Sequence, residues 1–217
     1  MHGAGLRSDR RGDHALHAGR GGQILFHYLL PLSPTRALLE VTAFAPVPAG
    51  PEAFRSELTR FIEQRLEGRP YRIRREEHGI LPMGLPAPKP SADATFVRAG
   101  LMAGGARASS GYAFQRIQRW AEACARSLAE GRGPQAHAED GLVLRWMDAL
   151  FLQVLRRQPE LAPTIFLAMF RKVAPARLAR FMSDQGTLLD DLASIAALPP
   201  GPFRRELFRP APSVVHP

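Results

Sequence analysis

Apolar residues near the start of the chain predict a strand hairpin followed by a helix. Residues 23–33 (QILFHYLLPLS) are densely apolar and predict a buried strand. Residues 37–46 predict a second strand, and the short turn SPTR at 33–36 joins the two as an antiparallel hairpin. A helix of about 17 residues then begins at Pro51 and ends at Gly68. Its apolar face contains Phe54, Leu58, Phe61, Ile62 and Leu66.

The middle of the chain predicts two further strands and a long helix. Apolar residues alternate with arginines over 70–79, which predicts a half-buried strand. A Pro-rich extended loop over 80–93 leads to a short predicted strand at 95–100. Apolar residues recur at helical spacing over 112–130. The predicted buried face of this helix contains Ala113, Ile117, Trp120, Ala121, Cys124 and Leu128.

After about residue 139 the sequence predicts helices and no strands. Proline and glycine residues separate helices at 139–157, 160–173, 175–183 and 186–197. The chain is therefore predicted to have an α+β fold followed by a helical region. Its predicted organisation is a disordered segment at 1–22, an α+β part at 23–134, a helical region at 135–198 and a Pro-rich extended tail at 199–217.

The formal net charge is +9, and all but two of the 29 lysine and arginine residues are arginine. A basic protein can attract nucleic acid or an anionic membrane surface, or it can simply have a basic surface without such a partner. The arginines are scattered and are not interleaved with aromatic residues, so a nucleic-acid partner is not predicted.

Cysteine content and hydrophobic run lengths indicate a cytoplasmic protein. Cys124 is the single cysteine, which excludes an internal disulfide, and it occupies an apolar helix position expected in the core. No apolar run approaches the roughly 20 residues of a membrane span. Residues 1–22 lack the apolar segment of a signal peptide.

Glu40 is the first candidate for chemistry, because it lies between apolar residues of a predicted strand. Alternation places it on one face with Leu38 and Thr42. A carboxyl group surrounded by apolar side chains has a raised pKa and can act as a general acid. The alternative is an edge-strand glutamate that faces water.

Three other short stretches are candidates. Residues 76–79 (EEHG) are either an acid/base set or a solvated strand end, and no second cluster supplies ligands for a metal. Gly104 and Gly105 allow close backbone approach, and Ser109 or Ser110 can cap the next helix. The helix start would then stabilise an anion, unless it is simply a capped helix after a tight turn. Residues 3–8 (GAGLRS) are rejected as a dinucleotide loop, because no strand precedes them.

Three motifs in order carry a resemblance to a known family. They are LPLSPTRALLEVT at 30–42, REEHGILPM at 75–83 and GGARASSGYAFQRIQRWA at 104–121. Together they resemble the flavin-dependent lycopene cyclases, and MDALFLQVLRRQPELAP at 147–163 looks like the C-terminal region of that family. The resemblance covers roughly residues 23 to 198. It implies a fold similar to aromatic-hydroxylase-type flavoproteins, with a partial FAD and substrate domain at 23–134.

The resemblance also implies an activity. Lycopene cyclases convert the linear ends of lycopene into ionone rings with reduced FAD and no net redox change. Glu40 matches the first glutamate of the family signature, and so inherits the role of acid/base or cation stabiliser. The expected flavin-facing residues are Gly104, Gly105, Ser110, Gly111 and Tyr112, and the expected substrate-lining residues are Thr42, Phe44 and Met83.

Two departures from the family pattern alter this expectation. Val41 occupies the place of the second acidic residue of the signature. The strand, Gly-rich turn and helix that hold the ADP half of FAD are expected to be missing, so that the chain alone would be a truncated enzyme with weak or no activity.

The expected partners are a carotenoid and the inner face of the membrane in which it is dissolved. One alternative is a flavoprotein reductase that acts on isoprenoid lipids. The other is a non-enzymatic protein that binds a membrane surface. Its contact would be made by Trp146, Phe151, Phe166 and Phe170, bordered by Arg156, Arg157, Arg171 and Lys172.

Overall fold

The computed structural model describes residues 15–18, 22–84, 91–93 and 95–209. These residues form two compact units. The first contains the described residues up to Ile80 together with Arg156–Pro163. The second contains those from Leu81 to Leu155 and from Thr164 onward, so the predicted boundary after residue 134 falls inside it.

The first unit is built on a three-stranded antiparallel sheet. Its strands are β1 (Ala15–Ala18), β2 (Ile24–Ser33) and β3 (Arg36–Phe44), in the order β1-β2-β3. The predicted hairpin is therefore confirmed. The expectation of disorder is wrong for the four residues of β1, which pair with β2. The remainder of 1–21, including the rejected loop at 3–8, lies outside the described residues.

Helix α1 (Pro51–Leu66) packs against the sheet in the same unit. Phe61 and Ile62 are buried, while Phe54, Leu58 and Leu66 are half-buried, so the predicted apolar face is confirmed. The Phe61 ring lies 4.7 Å from the ring of His27, which in turn hydrogen bonds to Glu57 at 2.9 Å. The helix ends before Gly68, whose φ of 81° favours glycine.

Two predicted strands are absent from the described residues. Residues 70–79 have no regular secondary structure and are exposed, and residues 95–100 contain only turns and irregular backbone. Alternation of apolar and polar residues describes a side-chain pattern, but a strand also needs a neighbouring strand to accept and donate its hydrogen bonds. Neither segment pairs with a strand of the described sheet, which consists of β1, β2 and β3.

The second unit is helical. It contains α2 (Phe114–Ala129), most of α3 (Leu142–Arg157) and of α4 (Ala162–Lys172), α5 (Pro175–Met182), α6 (Leu188–Ala197), α7 (Pro200–Leu207) and a short 3₁₀ turn at Leu101–Ala103. A second 3₁₀ turn, at Pro159–Leu161, belongs to the first unit together with the adjoining ends of α3 and α4. The α+β class and the helical C-terminal region are confirmed. The expectation of an extended tail is wrong over α7, because Pro200 starts a helix in its first turn; residues 210–217 lie outside the described residues.

The buried face of α2 differs from the prediction. Cys124 is buried as expected, but Ala121 and Leu128 are exposed and Ser127 is fully buried. The Ser127 hydroxyl donates to the carbonyl of Gly133 at 2.8 Å and lies 3.2 Å from the Gln135 amide nitrogen, which donates to it. A serine can occupy this position because the chain leaving the helix satisfies its hydroxyl.

The core of the second unit lies among α3, α4, α5 and α6. Its buried residues are Met169, Val173, Leu178 and Ala197, with Phe151, Phe181, Met182 and Leu198 packed against them. Val154 and Ile165 are fully buried as well. Among the described residues, no helix has both the length and the hydrophobicity needed to span a bilayer.

Asp190 fixes the start of α6. It forms a capping box with Thr187 and accepts hydrogen bonds from Arg180 at 2.8 and 2.9 Å. Asp190 is 1% exposed. The hydrogen bonds from Arg180, followed by those from Thr187, hold the pKa of this carboxyl group well below its usual range.

Replacing Asp190 by Asn should lower the melting temperature at neutral pH, because it removes the charge and keeps the shape. The pKa of Asp190 is lower in the folded chain than in the unfolded chain. The ionised Asp190 carboxylate therefore stabilises the folded chain above about pH 4, and this stabilisation is lost as the pH falls below that value. The difference in melting temperature between wild type and Asp190→Asn should shrink in acid, as circular dichroism can measure. The control Asp191→Asn, in the same helical turn, should lower the melting temperature less. If the difference in melting temperature between wild type and Asp190→Asn did not change with pH, the prediction would be contradicted.

Replacing Ile165 by Ala should destabilise the second unit by about 3 kcal/mol, because it leaves a cavity in a fully packed site. Leu167→Ala on the same helix should cost roughly 0.5 kcal/mol, because Leu167 is exposed. Urea denaturation followed by circular dichroism measures both changes. Equal losses in the two variants would show that Ile165 does not have the packing role described here.

Candidate functional site

The pairing of β2 with β3 places Glu40 on a mostly apolar sheet face. Tyr28 lies opposite Glu40, and Phe26 lies opposite Thr42. Residues that lie opposite each other on neighbouring strands share a face of the sheet. We call this surface the Glu40 face; it consists of Ile24, Phe26, Tyr28, Leu30, Leu38, Glu40, Thr42 and Phe44.

A bulge in β2 sets this register. Ser33 pairs with Arg36, but Pro31 pairs with Ala37, so Leu32 is an extra residue in β2. Without the bulge the same turn would place Leu29 opposite Glu40, and Tyr28 would point to the other face. The bulge therefore brings a phenol next to the candidate carboxylate.

The Glu40 face is buried at one end and exposed at the other. Ile24 and Phe26 are buried, whereas Leu30, Leu38 and Glu40 are exposed. The ring of Phe26 lies 4.9 Å from that of Phe44 and is parallel to that of Tyr28 at 6.2 Å. An aromatic row thus runs beside Glu40, and the faces of such rings attract cations.

Thr42 holds the Glu40 carboxylate in place. The Thr42 hydroxyl donates a hydrogen bond of 2.6 Å to Oε1 of Glu40. Glu40 is exposed to solvent in the described structure. This exposure agrees with the alternative of a glutamate that faces water, and not with a carboxyl group buried among apolar side chains. Thr42 and Phe44, both predicted to line the substrate, do share its face.

Tyr28 is a residue of this face that sequence reasoning missed. Burial, and then the negative charge of Glu40, raise the pKa of the Tyr28 phenol. The phenol therefore remains protonated near neutral pH and is a donor beside Glu40. The turn sequence alone could not have revealed this pair, because the bulge alters the register by one residue.

The charged residues of the EEHG stretch make surface contacts. Glu76 accepts hydrogen bonds from Arg55 at 3.2 Å, and Glu77 pairs with Arg75. The His78 ring lies 6.1 Å from that of Phe54. These contacts correspond to the solvated alternative, and no group of three metal-ligating side chains occurs within the part of the chain that is described.

The glycines of the 104–112 segment, in the second unit, are required by its backbone. Gly104 has φ of 84° and Gly111 has φ of 69°. A Cβ atom on Gly105 would lie 2.7 Å from the carbonyl oxygen of Gly100 and 3.0 Å from the ring of His137. No larger residue fits at Gly105 without a shift of the backbone.

Several backbone donors of this segment already have acceptors in the chain. The N–H groups of Gly105 and Gly111 donate to carbonyls at 3.0 and 2.9 Å, and that of Tyr112 donates to the Ser110 hydroxyl at 3.2 Å. The expectation that Ser109 or Ser110 caps α2 is wrong, since the N-cap is Ala113 and has no side-chain hydrogen bond. The first-turn N–H groups of α2 have no acceptor within the helix.

A buried arginine, which sequence reasoning also missed, fixes the segment. Arg107 is 3% exposed and donates to Asp148 at 3.1 Å and to the carbonyl of Phe181 at 2.5 Å. Ser109 donates to the same Asp148 carboxylate at 2.7 Å. The single acidic residue in the apolar stretch of α3 was a signal for such a buried partner.

Two titratable groups near this loop have shifted pKa values. Burial raises the pKa of Asp184, although the charges of Arg116 and Arg107 oppose that shift. Burial and then the Arg116 charge lower the pKa of His137, whose ring stacks on Trp120 at 4.7 Å. His137 is therefore neutral near pH 7 and lies against Gly105.

The remaining predicted residues are divided between the two units. Met83 is half-buried in the second unit, whereas Glu40, Thr42 and Phe44 belong to the first. Only part of the proposed aromatic membrane patch is exposed. Trp146 and Phe170 are exposed, but Phe151 and Phe166 pack edge to face at 5.9 Å.

Comparison with known families gives one extended match. A family model described as lycopene cyclase protein matches residues 9–207. No curated protein and no solved structure matches the chain. The family match includes both the Glu40 face and the 104–112 segment, and its extent shows that the chain belongs to the lycopene cyclase protein family.

Proposed function

We propose that the Glu40 face carries the acid–base chemistry of a lycopene cyclase, which converts linear carotenoid ends into ionone rings. The observation that carries the proposal is the single carboxylate on an apolar, aromatic sheet face, held by the Thr42 hydroxyl at 2.6 Å. Membership of the lycopene cyclase family supports a carotenoid as the substrate.

The proposed reaction moves a proton and leaves the oxidation level unchanged. A proton adds to the terminal double bond, the resulting cation is attacked by a second double bond to close the ring, and another proton leaves. Thr42 occupies Oε1 of Glu40, so Oε2 is the oxygen that gives or takes the proton. The aromatic row and the carboxylate both stabilise positive charge on the substrate.

Exclusion of water in this proposal depends on the substrate itself. Leu30 and Leu38, which lie opposite each other on the Glu40 face, are both exposed in the described structure. A carotenoid end lying across these side chains would cover Glu40 with hydrocarbon. Water, which would quench a carbocation, would then be displaced as the substrate binds.

The 104–112 segment is the proposed place for the flavin ring, with Gly104, Gly105, Ser110, Gly111 and Tyr112 as its contacts. When bound, reduced flavin would supply a negatively charged, electron-rich ring without net redox change. The absence of a side chain at Gly105 supports close backbone approach. Because the N–H groups of Gly104, Gly105, Gly111 and Tyr112 already donate within the chain, the first-turn N–H groups of α2 are the fitting partners for an anionic ring edge.

The proposed setting is the inner face of the membrane, where a water-insoluble carotenoid is dissolved. The described residues contain no strand, Gly-rich turn and helix of the kind that binds the ADP half of FAD. A test of activity therefore uses the chain alone and also the chain with the coding sequence immediately upstream of Met1.

Pigment analysis of lycopene-accumulating cells tests the proposed function. We expect cyclic carotenes from at least one of the two forms of the protein. Glu40→Gln should lower ring formation by about 100-fold or more, because it removes the proton-transfer group. Glu63→Gln on the exposed surface of α1 should leave ring formation unchanged. The absence of cyclic carotenes from both forms would overturn the proposal, and linear products with fewer double bonds would indicate a reductase.

Thr42→Val tests the role of the hydrogen bond to Glu40. It removes the hydroxyl and keeps the side-chain shape, and we expect the rate of ring formation to fall by about tenfold. Thr42→Ser, which retains a hydroxyl, should recover most of that rate. If the Thr42→Val and Thr42→Ser variants form rings at the same rate, the Thr42 hydroxyl does not position the Glu40 carboxylate.

A further inference from the structure

The Glu40 face becomes more exposed along its length. Phe26 is buried, whereas Leu30 is 47% and Leu38 48% exposed. Tyr28, which is half-buried, and Glu40 lie between these two ends. The end of a linear hydrocarbon on this face is therefore best shielded from water beside Phe26, and the rest of the molecule would run out over the leucines.

A hydrogen bond holds the Glu40 carboxylate towards the buried end of the face. Thr42 lies two residues beyond Glu40 in that direction, since it is opposite Phe26. Its hydroxyl donates to Oε1 of Glu40 at 2.6 Å. The carboxylate is therefore drawn towards the pair of Phe26 and Thr42, and Oε2 has a defined place beside the shielded part of the face.

The Tyr28 ring stands directly across from this carboxylate. Tyr28 and Glu40 are paired on neighbouring strands, and the Cβ atoms of such a pair are about 5 Å apart. The ring is parallel to that of Phe26, with an interplanar angle of 2° and a centroid separation of 6.2 Å. A substrate that contacts Glu40 on this face therefore also contacts the Tyr28 ring.

The phenol of Tyr28 is compatible with a carbocation beside it. Burial, and then the negative charge of Glu40, raise its pKa, so the hydroxyl remains protonated near neutral pH. A phenolate would attack a carbocation and form a carbon–oxygen bond, whereas a neutral phenol is a much weaker nucleophile. The ring face of Tyr28 also attracts positive charge.

The proposed reaction leaves a choice of product after the ring closes. Formation of the new carbon–carbon bond places a positive charge on a ring carbon, and more than one neighbouring carbon can then lose a proton. The electron pair of the broken C–H bond becomes the ring double bond, and the proton goes to Oε2 of Glu40. Because the place of Oε2 is defined, the orientation of the new ring decides which isomer forms.

We propose that Tyr28 is a specificity-determining residue, whose ring orients the newly closed substrate ring so that one particular C–H bond lies at Oε2 of Glu40. This inference rests on the proposed function and adds to it that one ring isomer predominates. Val41, which replaces the second acidic residue of the family signature, pairs with His27 and points to the other face of the sheet. The choice between isomers is therefore assigned to Tyr28 and not to Val41.

Product analysis in lycopene-accumulating cells tests this inference, with the form of the protein that yields cyclic carotenes. Chromatography separates the ring isomers, and their ratio is measured. Tyr28→Leu removes the ring, Tyr28→Trp enlarges it, and Tyr28→Phe keeps its shape without the hydroxyl. The matched control is Tyr71→Leu, the same substitution at a tyrosine that is 49% exposed outside the Glu40 face.

We expect one isomer to predominate in the wild type and the isomer ratio to change by about tenfold in Tyr28→Leu and in Tyr28→Trp, because a change of side-chain size alters the fit of the substrate ring. Tyr28→Phe and Tyr71→Leu should keep the ratio within about twofold. A variant that is merely less stable makes less of every isomer and leaves their ratio unchanged. Melting temperatures from circular dichroism identify such a loss of stability.

Several results would overturn the inference. They are comparable amounts of the isomers in the wild type, an unchanged ratio in both Tyr28→Leu and Tyr28→Trp, loss of all rings in both variants while they remain folded, an equal change in Tyr71→Leu, or a changed ratio in Tyr28→Phe. Absence of rings from the wild type would overturn the proposed function and the inference with it. An unchanged ratio with rings still formed would overturn the inference alone.

Discussion

The backbone ladder between β2 and β3 decides which side chains can act together with Glu40. Its bulge at Leu32 places Tyr28 and Glu40 opposite each other and keeps Phe26 opposite Thr42. A shift of one residue would exchange the two faces, because side chains alternate along a strand. The position of the Tyr28 phenol opposite the Glu40 carboxylate is thus a consequence of one local irregularity in hydrogen bonding, whereas Thr42 shares the face because it lies two residues along the same strand.

The second unit depends on buried charge to order a loop rich in glycine. Placing Arg107 and Asp148 away from water carries a desolvation cost, which their several hydrogen bonds offset. The geometry leaves little freedom at Gly105, against which His137 is packed. A loop fixed in this way can present its backbone to a ligand without paying the entropic cost of ordering on binding.

Much of the fold could be predicted from local sequence. The hairpin, α1 and the helices from α2 to α6 follow from apolar spacing and from prolines and glycines, which act within a few residues. Glu40, Thr42 and Phe44 could be placed on one face by alternation within a single strand. The pairing with Tyr28 and the buried Arg107 could not, because each depends on a partner that is distant in sequence.

The sequence by itself determined the family, through the order of its motifs, and determined the helical and strand-forming periods of most elements. Tertiary structure decided which of those patterns became real strands and which faces became buried. Residues 70–79 alternate but pair with no described strand, and α6 buries Asp190, which Arg180 binds, while its leucines face outward. Periodicity reports the spacing of side chains, whereas burial depends on which groups the rest of the chain brings into contact.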